Sequence, residues 1–120
     1  MKPRRILIVD DNPDAVAVLA ISLKRAGHET FHAGDGRIAL ELARKHRPDI
    51  IFLDIGLPGL NGYEVARAVR ADPVLSHARI IAVTGSGQEH DRDAARAAGI
   101  DQYLVKPIDL AFVESLLGHR

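Results

Sequence analysis

The segment IIFLD at residues 50–54 decides the fold, because four consecutive apolar residues lead directly into one carboxylate. A continuous run of β-branched and large apolar side chains is typical of a strand that is covered on both faces. Four other short apolar runs occur along the chain, each bounded by Gly, Asp or Pro. The five predicted strands cover residues 6–9, 30–33, 50–53, 80–83 and 103–105.

Segments with helical spacing lie between the predicted strands. The first carries apolar residues at three- and four-residue spacing from Val16 to Ala26, the pattern of a helix with one buried face. Two others open with a polar residue and a glutamate three positions later, a capping box that satisfies the free backbone groups of a first turn. Helix starts are predicted at Pro13, Asn61, Ser86 and Asp109, and helix ends at Gly27 and near Gly118.

Five repeats of strand and helix predict an α/β fold with parallel strands, right-handed crossovers and helices on both faces of the sheet. A chain of 120 residues with 47% hydrophobic side chains suffices for one core, so residues 1–120 are predicted to form a single domain. Ligands of such sheets bind at the carboxyl ends of the strands. We therefore expect the functional residues at the carboxyl ends of the strands.

Composition excludes several classes of function. Lys plus Arg and Asp plus Glu number 16 each, so the basic excess that drives nucleic-acid binding is missing. The chain has no cysteine, which removes disulfides, thiolate nucleophiles and cysteine-ligated metals and is compatible with the cytoplasm. The apolar stretch before Asp10 is too short to span a membrane. We therefore expect a cytoplasmic domain without direct nucleic-acid or membrane binding.

Polar residues follow four of the five predicted strands. Asp10 and Asp11 follow the first, Asp54 the third, Thr84 the fourth and Lys106 the fifth. Each has an ordinary structural explanation by itself, as a helix cap, a turn residue, a buried hydroxyl or a surface charge. Together they share one edge of the sheet, where three carboxylates would repel each other without a cation. Carboxylate oxygens suit hard divalent ions, so the cluster predicts Mg²⁺ or Mn²⁺.

The same edge carries the groups that phosphoryl transfer requires. Lys106 supplies a fixed positive charge and Thr84 a hydroxyl donor, and the transition state of this reaction is stabilised mainly by positioning and charge. Without cysteine, and with no serine–histidine–aspartate arrangement apparent, a carboxylate is the best remaining nucleophile. Asp54 is the candidate.

The sequence resembles the receiver domain of two-component response regulators over essentially its whole length. The segments that carry the resemblance are IVDD at 8–11, LDIGLPG at 53–59, NGYE at 61–64, VTG at 83–85 and YLVKP at 103–107. The resemblance implies a doubly wound (βα)5 flavodoxin-like fold with strand order 2-1-3-4-5. It also implies a role in phosphorelay signalling, without the activity of a metabolic enzyme.

The resemblance implies a role for each residue of the acidic cluster. Asp54 would accept the phosphoryl group from a phosphohistidine of a histidine kinase or a histidine phosphotransfer protein. Asp11 would bind the metal directly and Asp10 largely through water, and the backbone carbonyl of Gly56 would complete the protein ligands.

Four further residues would support the reaction and the switch. Lys106 would pair with the Asp54 carboxylate and later with its phosphoryl oxygens, next to a cis peptide bond before Pro107. Thr84 would move towards the phosphoryl group, and Tyr103 would turn inward into the space that opens.

The fourth helix and the strand that carries Tyr103 are predicted to form the output surface. Residues 94–98 offer almost no large apolar side chain, so this helix should dock weakly and shift easily. A downstream protein, or a second copy in a homodimer, would bind the face formed by the fourth helix, fifth strand and fifth helix. Gly56 and Ser86 are small residues at two positions where, in this family, the side chains tune the lifetime of the phosphoryl group. The lifetime is therefore not predicted. The segments 54–58 and 84–88 are most similar to receivers that are attached to hybrid sensor kinases. The domain would act alone by binding partners, or as part of a longer protein.

Two motifs favour other functions. Residues 28–32 fit the zinc pattern H-E-x-x-H, but in a strand the two imidazoles lie about 13 Å apart, against about 6 Å along a helix. Residues 34–39 fit a relaxed G-x-G-x-x-A fingerprint, which makes a nucleotide-binding Rossmann-like domain the main alternative. That alternative leaves Asp10, Asp11, Thr84 and Lys106 without a role. A degenerate receiver that acts as a constitutive interaction module is a third possibility, which the complete set of site residues disfavours.

Overall fold

Strands and helices alternate along residues 4–57, 61–85 and 92–117, which are the residues described in this computed structural model. In chain order the elements are β1 (Arg5–Val9), α1 (Pro13–Arg25), β2 (Glu29–Ala33), α2 (Gly36–His46), β3 (Ile50–Asp54), α3 (Gly62–Ala71), β4 (Arg79–Thr84), α4 (Arg92–Ala98), β5 (Gln102–Val105) and α5 (Leu110–Leu116). Each strand contains the predicted run and extends it by at most one residue at either end.

The five strands form one parallel sheet in the order β2-β1-β3-β4-β5. The predicted fold class and strand order are therefore confirmed. β1 and β3 are neighbours, with Val9 beside Leu53, and β3 lies beside β4, with Asp54 beside Val83. The residues that follow these strands consequently meet at the same edge of the sheet.

The sheet separates two layers of core. One contains residues of α2, α3 and α4 together with Leu7, Leu53 and Ala82. The other contains residues of α1 and α5 together with Ile8, Phe52 and further strand residues whose side chains point to the opposite face of the sheet. Because alternate side chains of a strand point to opposite faces, the central strands are buried on both sides. In the part of the chain that the structure describes, no helix is long and apolar enough to cross a membrane.

The helix caps follow the predicted chemistry at three of the four starts. The Asn61 side chain accepts from the Glu64 N–H at 3.0 Å while the Glu64 carboxylate accepts from the Asn61 N–H, which is the predicted capping box. The Asp109 side chain caps α5, and α1 begins at Pro13. Gly27 follows α1 with a φ of +96°, a conformation that glycine adopts without strain. The predicted start at Ser86 and the predicted end near Gly118 lie outside the described residues.

Gly62 fixes the position of α3 against the end of β3. A Cβ atom on Gly62 would lie 2.8 Å from the Ile55 Cα and 3.1 Å from the Asp54 carbonyl oxygen. Its N–H donates to the Ile55 carbonyl at 3.3 Å. The first turn of α3 is therefore packed directly on backbone beside Asp54.

We expect Gly62→Ala to lower the free energy of unfolding by about 1–3 kcal/mol, because the added methyl group meets backbone atoms that cannot move independently. Urea denaturation followed by circular dichroism measures this. Gly34→Ala is the matched control, since a Cβ there meets nothing within 4 Å and its stability should be unchanged or slightly higher. Equal stabilities of the two variants would contradict the proposed close contact.

Candidate functional site

Three carboxylates meet at the carboxyl edge of the sheet. Oxygen atoms of Asp10, Asp11 and Asp54 all lie within 4.8 Å of one another. Asp10 and Asp54 are buried, with 6% and 8% of their surface exposed, whereas Asp11 is exposed. The structure thus brings together the three residues that the sequence predicted as a cluster.

The segment that carries Asp10 and Asp11 is fixed by its neighbours. The Asp10 N–H donates to the Ala33 carbonyl at 3.0 Å, and the His32 Nε2 lies 3.0 Å from the Asp10 carbonyl oxygen. The Asp10 carboxylate accepts from the Asn12 N–H at 2.9 Å. The Asn12 side chain, rather than either aspartate, caps α1, so the Asp11 carboxylate is available for a ligand.

Lys106 contacts two members of the cluster. Its Nζ lies 3.0 Å from an Asp10 oxygen and 3.5 Å from an Asp54 oxygen. The contact with Asp54 was predicted, and the shorter contact with Asp10 was not. Burial acts to lower the pKa of Lys106, but the hydrogen bond to Asp10 and the two nearby negative charges outweigh it and raise the pKa. Its ammonium group is therefore charged at neutral pH.

Asp54 lies in an environment that opposes its charge. Burial raises its pKa, and the negative charge of Asp10 adds to this effect. The Gly56 N–H, which donates to Asp54 Oδ1 at 2.9 Å, and the charge of Lys106 act in the opposite direction without cancelling it. A divalent cation beside these carboxylates would remove the remaining electrostatic cost.

Thr84 and Lys106 are joined through the backbone at the ends of β4 and β5. The Lys106 N–H donates to the Thr84 carbonyl at 2.8 Å, and the peptide bond from Lys106 to Pro107 is cis. The Thr84 side chain is 1% exposed, and its Oγ1 has no hydrogen-bond partner among the described residues. Because an unsatisfied buried hydroxyl is costly, a ligand oxygen that accepts a hydrogen bond would stabilise this arrangement.

The donor set fits a hard divalent cation. Carboxylate oxygens from three residues can approach one ion, and Mg²⁺ binds through one or two carboxylates with waters and phosphate oxygens completing its shell. The Gly56 N–H is engaged with Asp54, and the role of the Gly56 carbonyl stays a prediction.

The two alternative motifs have structural roles. The His28 Nδ1 accepts from the Arg4 N–H at 3.1 Å, and burial, with the nearby charge of Arg4, lowers the pKa of His28. His28 precedes β2 and His32 lies near its other end, on an edge strand as predicted. In the glycine-containing turn, the Asp35 side chain accepts from the Ile38 N–H at 2.9 Å. The start of α2 is therefore capped by its own residue, which disfavours a dinucleotide there.

The contacts of three residues that support the site or its surroundings were not predicted from the sequence. Asn12 stands directly before Pro13, which is itself a helix-start signal that identifies the cap. His32 and Tyr63 act through tertiary contacts, with the Asp10 carbonyl and with the Tyr103 hydroxyl at 3.3 Å. Local sequence carries no signal for contacts of this kind.

The strand order, the acidic cluster and the lysine beside it define a class of doubly wound α/β domains that have a candidate cation-binding site at the carboxyl ends of the strands. The family model of the response regulator receiver domain matches residues 6–117. The chain belongs to this family, whose members are signalling modules of two-component systems.

Relatives of known name are similar over nearly the whole chain. The polar-differentiation response regulator DivK of Brucella anthropi is 36% identical over 95% of this chain and 94% of its own. Protein PilH of Pseudomonas aeruginosa is 39% identical over 88% of this chain and 87% of its own. A sensor histidine kinase receiver domain from Pseudomonas aeruginosa, solved with a magnesium ion coordinated in its active site cleft, is 34% identical. It has a TM-score of 0.86 and the match covers 97% of this chain and 95% of that domain.

We expect Asp54→Asn to raise the free energy of unfolding at pH 7 in metal-free buffer, by roughly 0.5–3 kcal/mol. The raised pKa of Asp54 means that its ionised form costs folded-state stability, and asparagine removes that charge. The difference should shrink as the pH falls through the folded-state pKa of Asp54, because the wild-type carboxyl group then becomes neutral as well.

Urea denaturation with a chelator present, repeated from neutral to acidic pH, measures the difference. Asp14→Asn, at an exposed carboxylate in the first turn of α1, is the control and should stay within about 0.5 kcal/mol of wild type at each pH. Wild type more stable than Asp54→Asn at pH 7 would contradict the electrostatic account.

Proposed function

We propose that Asp54 accepts a phosphoryl group from a phosphohistidine of a partner histidine kinase or histidine phosphotransfer protein. The modified domain then changes conformation, with Thr84 moving towards the phosphoryl group and Tyr103 turning inward, and controls the binding of a downstream partner. The observation that carries this proposal is the convergence of Asp10, Asp11 and Asp54 on a charged lysine. Capping of the adjacent helix does not account for the cluster, since Asn12 and not an aspartate of the cluster caps α1.

The transfer forms one bond and breaks one. A carboxylate oxygen of Asp54 attacks phosphorus, an O–P bond forms, and the N–P bond breaks with its electron pair returning to the histidine imidazole. Lys106 stands close enough to Asp54 to pair with the phosphoryl oxygens that arrive there. The Thr84 hydroxyl, buried and unpartnered among the described residues, is the candidate donor to one of these oxygens.

Asp10, Asp11, Asp54 and the Gly56 carbonyl would hold Mg²⁺ or Mn²⁺. When bound, the cation neutralises charge on the phosphoryl oxygens. The magnesium in the cleft of the receiver domain from Pseudomonas aeruginosa, at 34% identity, supports the same ion here.

The phosphodonor has an apolar surface to bind beside the site. A groove of about 450 Å³ between α1 and the segment after β5 is lined mainly by apolar residues and reaches Lys106. Val18, on α1, is 59% exposed in this groove. A helix of a kinase or phosphotransfer protein that packs here would bring its phosphohistidine towards Asp54.

The face formed by α4, β5 and α5 is the proposed output surface. α4 docks on the core through Ala95 and Ala98, small side chains that bury little area. Val105 and Phe112 are 53% and 46% exposed on this side. A downstream protein or a second copy of the domain would cover them after phosphorylation.

The single-domain extent of residues 1–120 and the cytoplasmic location are part of the same proposal.

We expect one added phosphoryl group on the wild-type chain after incubation with acetyl phosphate and Mg²⁺, measured by intact-protein mass spectrometry. Asp54→Asn and excess chelator should each abolish the mass increase, because they remove the nucleophile and the cation. Asp14→Asn, which removes an exposed aspartate that is not a member of the cluster, should retain it. An undiminished mass increase on Asp54→Asn would refute the assignment of the acceptor.

We expect Mg²⁺ with beryllofluoride, a mimic of the phosphoryl group, to change amide hydrogen exchange in residues 94–98 and 102–105. Weak docking through alanines makes this part of the fold the easiest to shift. Exchange in β2 and in the second half of α1 is the internal control and should not change. Identical exchange in α4 and β5 with and without the mimic would rule out this output surface.

A further inference from the structure

Two tyrosine hydroxyl groups meet on the side of the sheet that α3 and α4 cover. The hydroxyl oxygens of Tyr63 and Tyr103 lie 3.3 Å apart, within hydrogen-bond range, although 40 residues separate them in sequence. Both side chains are half-buried and pack against the same core layer. A hydrogen bond at this point acts on the orientation of Tyr103, the residue to which the proposed function assigns the switch.

The strand register explains how the two rings can meet. Leu53, Ala82 and Tyr103 lie side by side on β3, β4 and β5 and belong to the same face of the sheet. The residue in the middle of this row has a single methyl group as its side chain. Tyr63, in the first turn of α3, is therefore able to reach towards β5 above β4.

The Tyr63 end of the pair is fixed. Gly62 beside it packs on the backbone of Ile55, and the capping box of Asn61 and Glu64 holds the first turn of α3. Because Ile55 directly follows Asp54, the Tyr63 hydroxyl has a defined position relative to the acceptor.

The Tyr103 end of the pair has more freedom. Among the described residues β5 is an edge strand that pairs with β4 alone, and Tyr103 lies three residues before Lys106, which contacts Asp10 and Asp54. We therefore expect a change at the acidic cluster to act on the strand that carries Tyr103 more than on the closely packed start of α3 that carries Tyr63.

We infer that Tyr63 is a positioning residue for the switch: its hydroxyl group holds Tyr103 in the inward, half-buried orientation. This inference rests on the proposed function, in which phosphorylation favours the inward orientation of Tyr103. Tyr63 therefore stabilises the phosphorylated conformation without contacting the phosphoryl group. Tyr63→Phe, which keeps the ring and removes the hydroxyl, should weaken that conformation.

The test is a double-mutant cycle on beryllofluoride affinity in saturating Mg²⁺, measured from the fluorine NMR signal of the bound mimic. Tyr63→Phe should weaken binding about two- to tenfold, the effect of one lost hydrogen bond. In a Tyr103→Phe background the same change should have no effect. The Mg²⁺ affinity of Tyr63→Phe without the mimic should equal that of wild type, because Tyr63 is not a ligand.

A role of Tyr63 in packing alone would change affinity equally in both backgrounds, and that result would overturn the inference. Unchanged affinity in both backgrounds would overturn it too. A wild-type chain that binds no beryllofluoride would instead overturn the proposed function itself.

A second measurement decides the contact without any ligand. The chain has two tyrosines and no tryptophan, so 3-fluorotyrosine labelling gives two fluorine signals, and Tyr63→Phe leaves that of Tyr103 alone. In this variant the Tyr103 signal should move and become more sensitive to replacement of H2O by D2O, since its ring gains exposure. A signal with unchanged shift and unchanged solvent sensitivity would overturn the inference, whatever the outcome with beryllofluoride.

Discussion

The rest of the site depends on the repulsion among three carboxylates that the sheet holds at one edge. Asp10 and Asp54 are buried next to each other. Burial, to which the charge of Asp10 adds, keeps the pKa of Asp54 raised although a backbone N–H and Lys106 oppose the effect. Among the described residues one lysine contacts this group of three carboxylates, so the ionised cluster keeps a net negative charge. This residual cost favours ligands that add positive charge. In the proposed function, a phosphoryl group would be compatible with this acidic site only together with a cation, since the group brings further negative charge.

Topology places this repulsion at the centre of the molecule. In the order β2-β1-β3-β4-β5, the strands that lead to Asp10 and Asp54 are neighbours, and both are covered by helices on two faces. The lysine comes from the edge strand two positions away, through a backbone hydrogen bond to Thr84. The carboxylates of the cluster thus follow buried inner strands, whereas the lysine that contacts them follows β5, which has one neighbouring strand among the described residues. A change in charge is most easily accommodated by movement of β5.

The sequence predicts most of this arrangement because the relevant signals are local. Continuous apolar runs mark the buried strands, and the residues directly after them identify the cluster, since parallel strands end at one edge. Contacts between distant segments have no such signal. The Arg70 guanidinium, for example, donates to carbonyl oxygens of Ser76, Ala78 and Gly99 and so connects α3 to the turn before β5. The contacts of His32 with the Asp10 carbonyl and of Tyr63 with Tyr103 belong to the same group.

The two sides of Asp54 are packed differently, and in the proposed switch this difference would give the conformational change a direction. On one side, Gly62 brings α3 onto the backbone of residues 54 and 55, so close that even a methyl group would collide. On the other side, α4 packs on the core through Ala95 and Ala98, which bury little apolar area. A change at Asp54 is therefore opposed by close backbone packing on the α3 side, whereas α4 on the other side is docked weakly. In the proposed switch, conformational change would therefore spread to α4 and β5, and Tyr63, which contacts Tyr103 from the α3 side, would limit how far β5 moves.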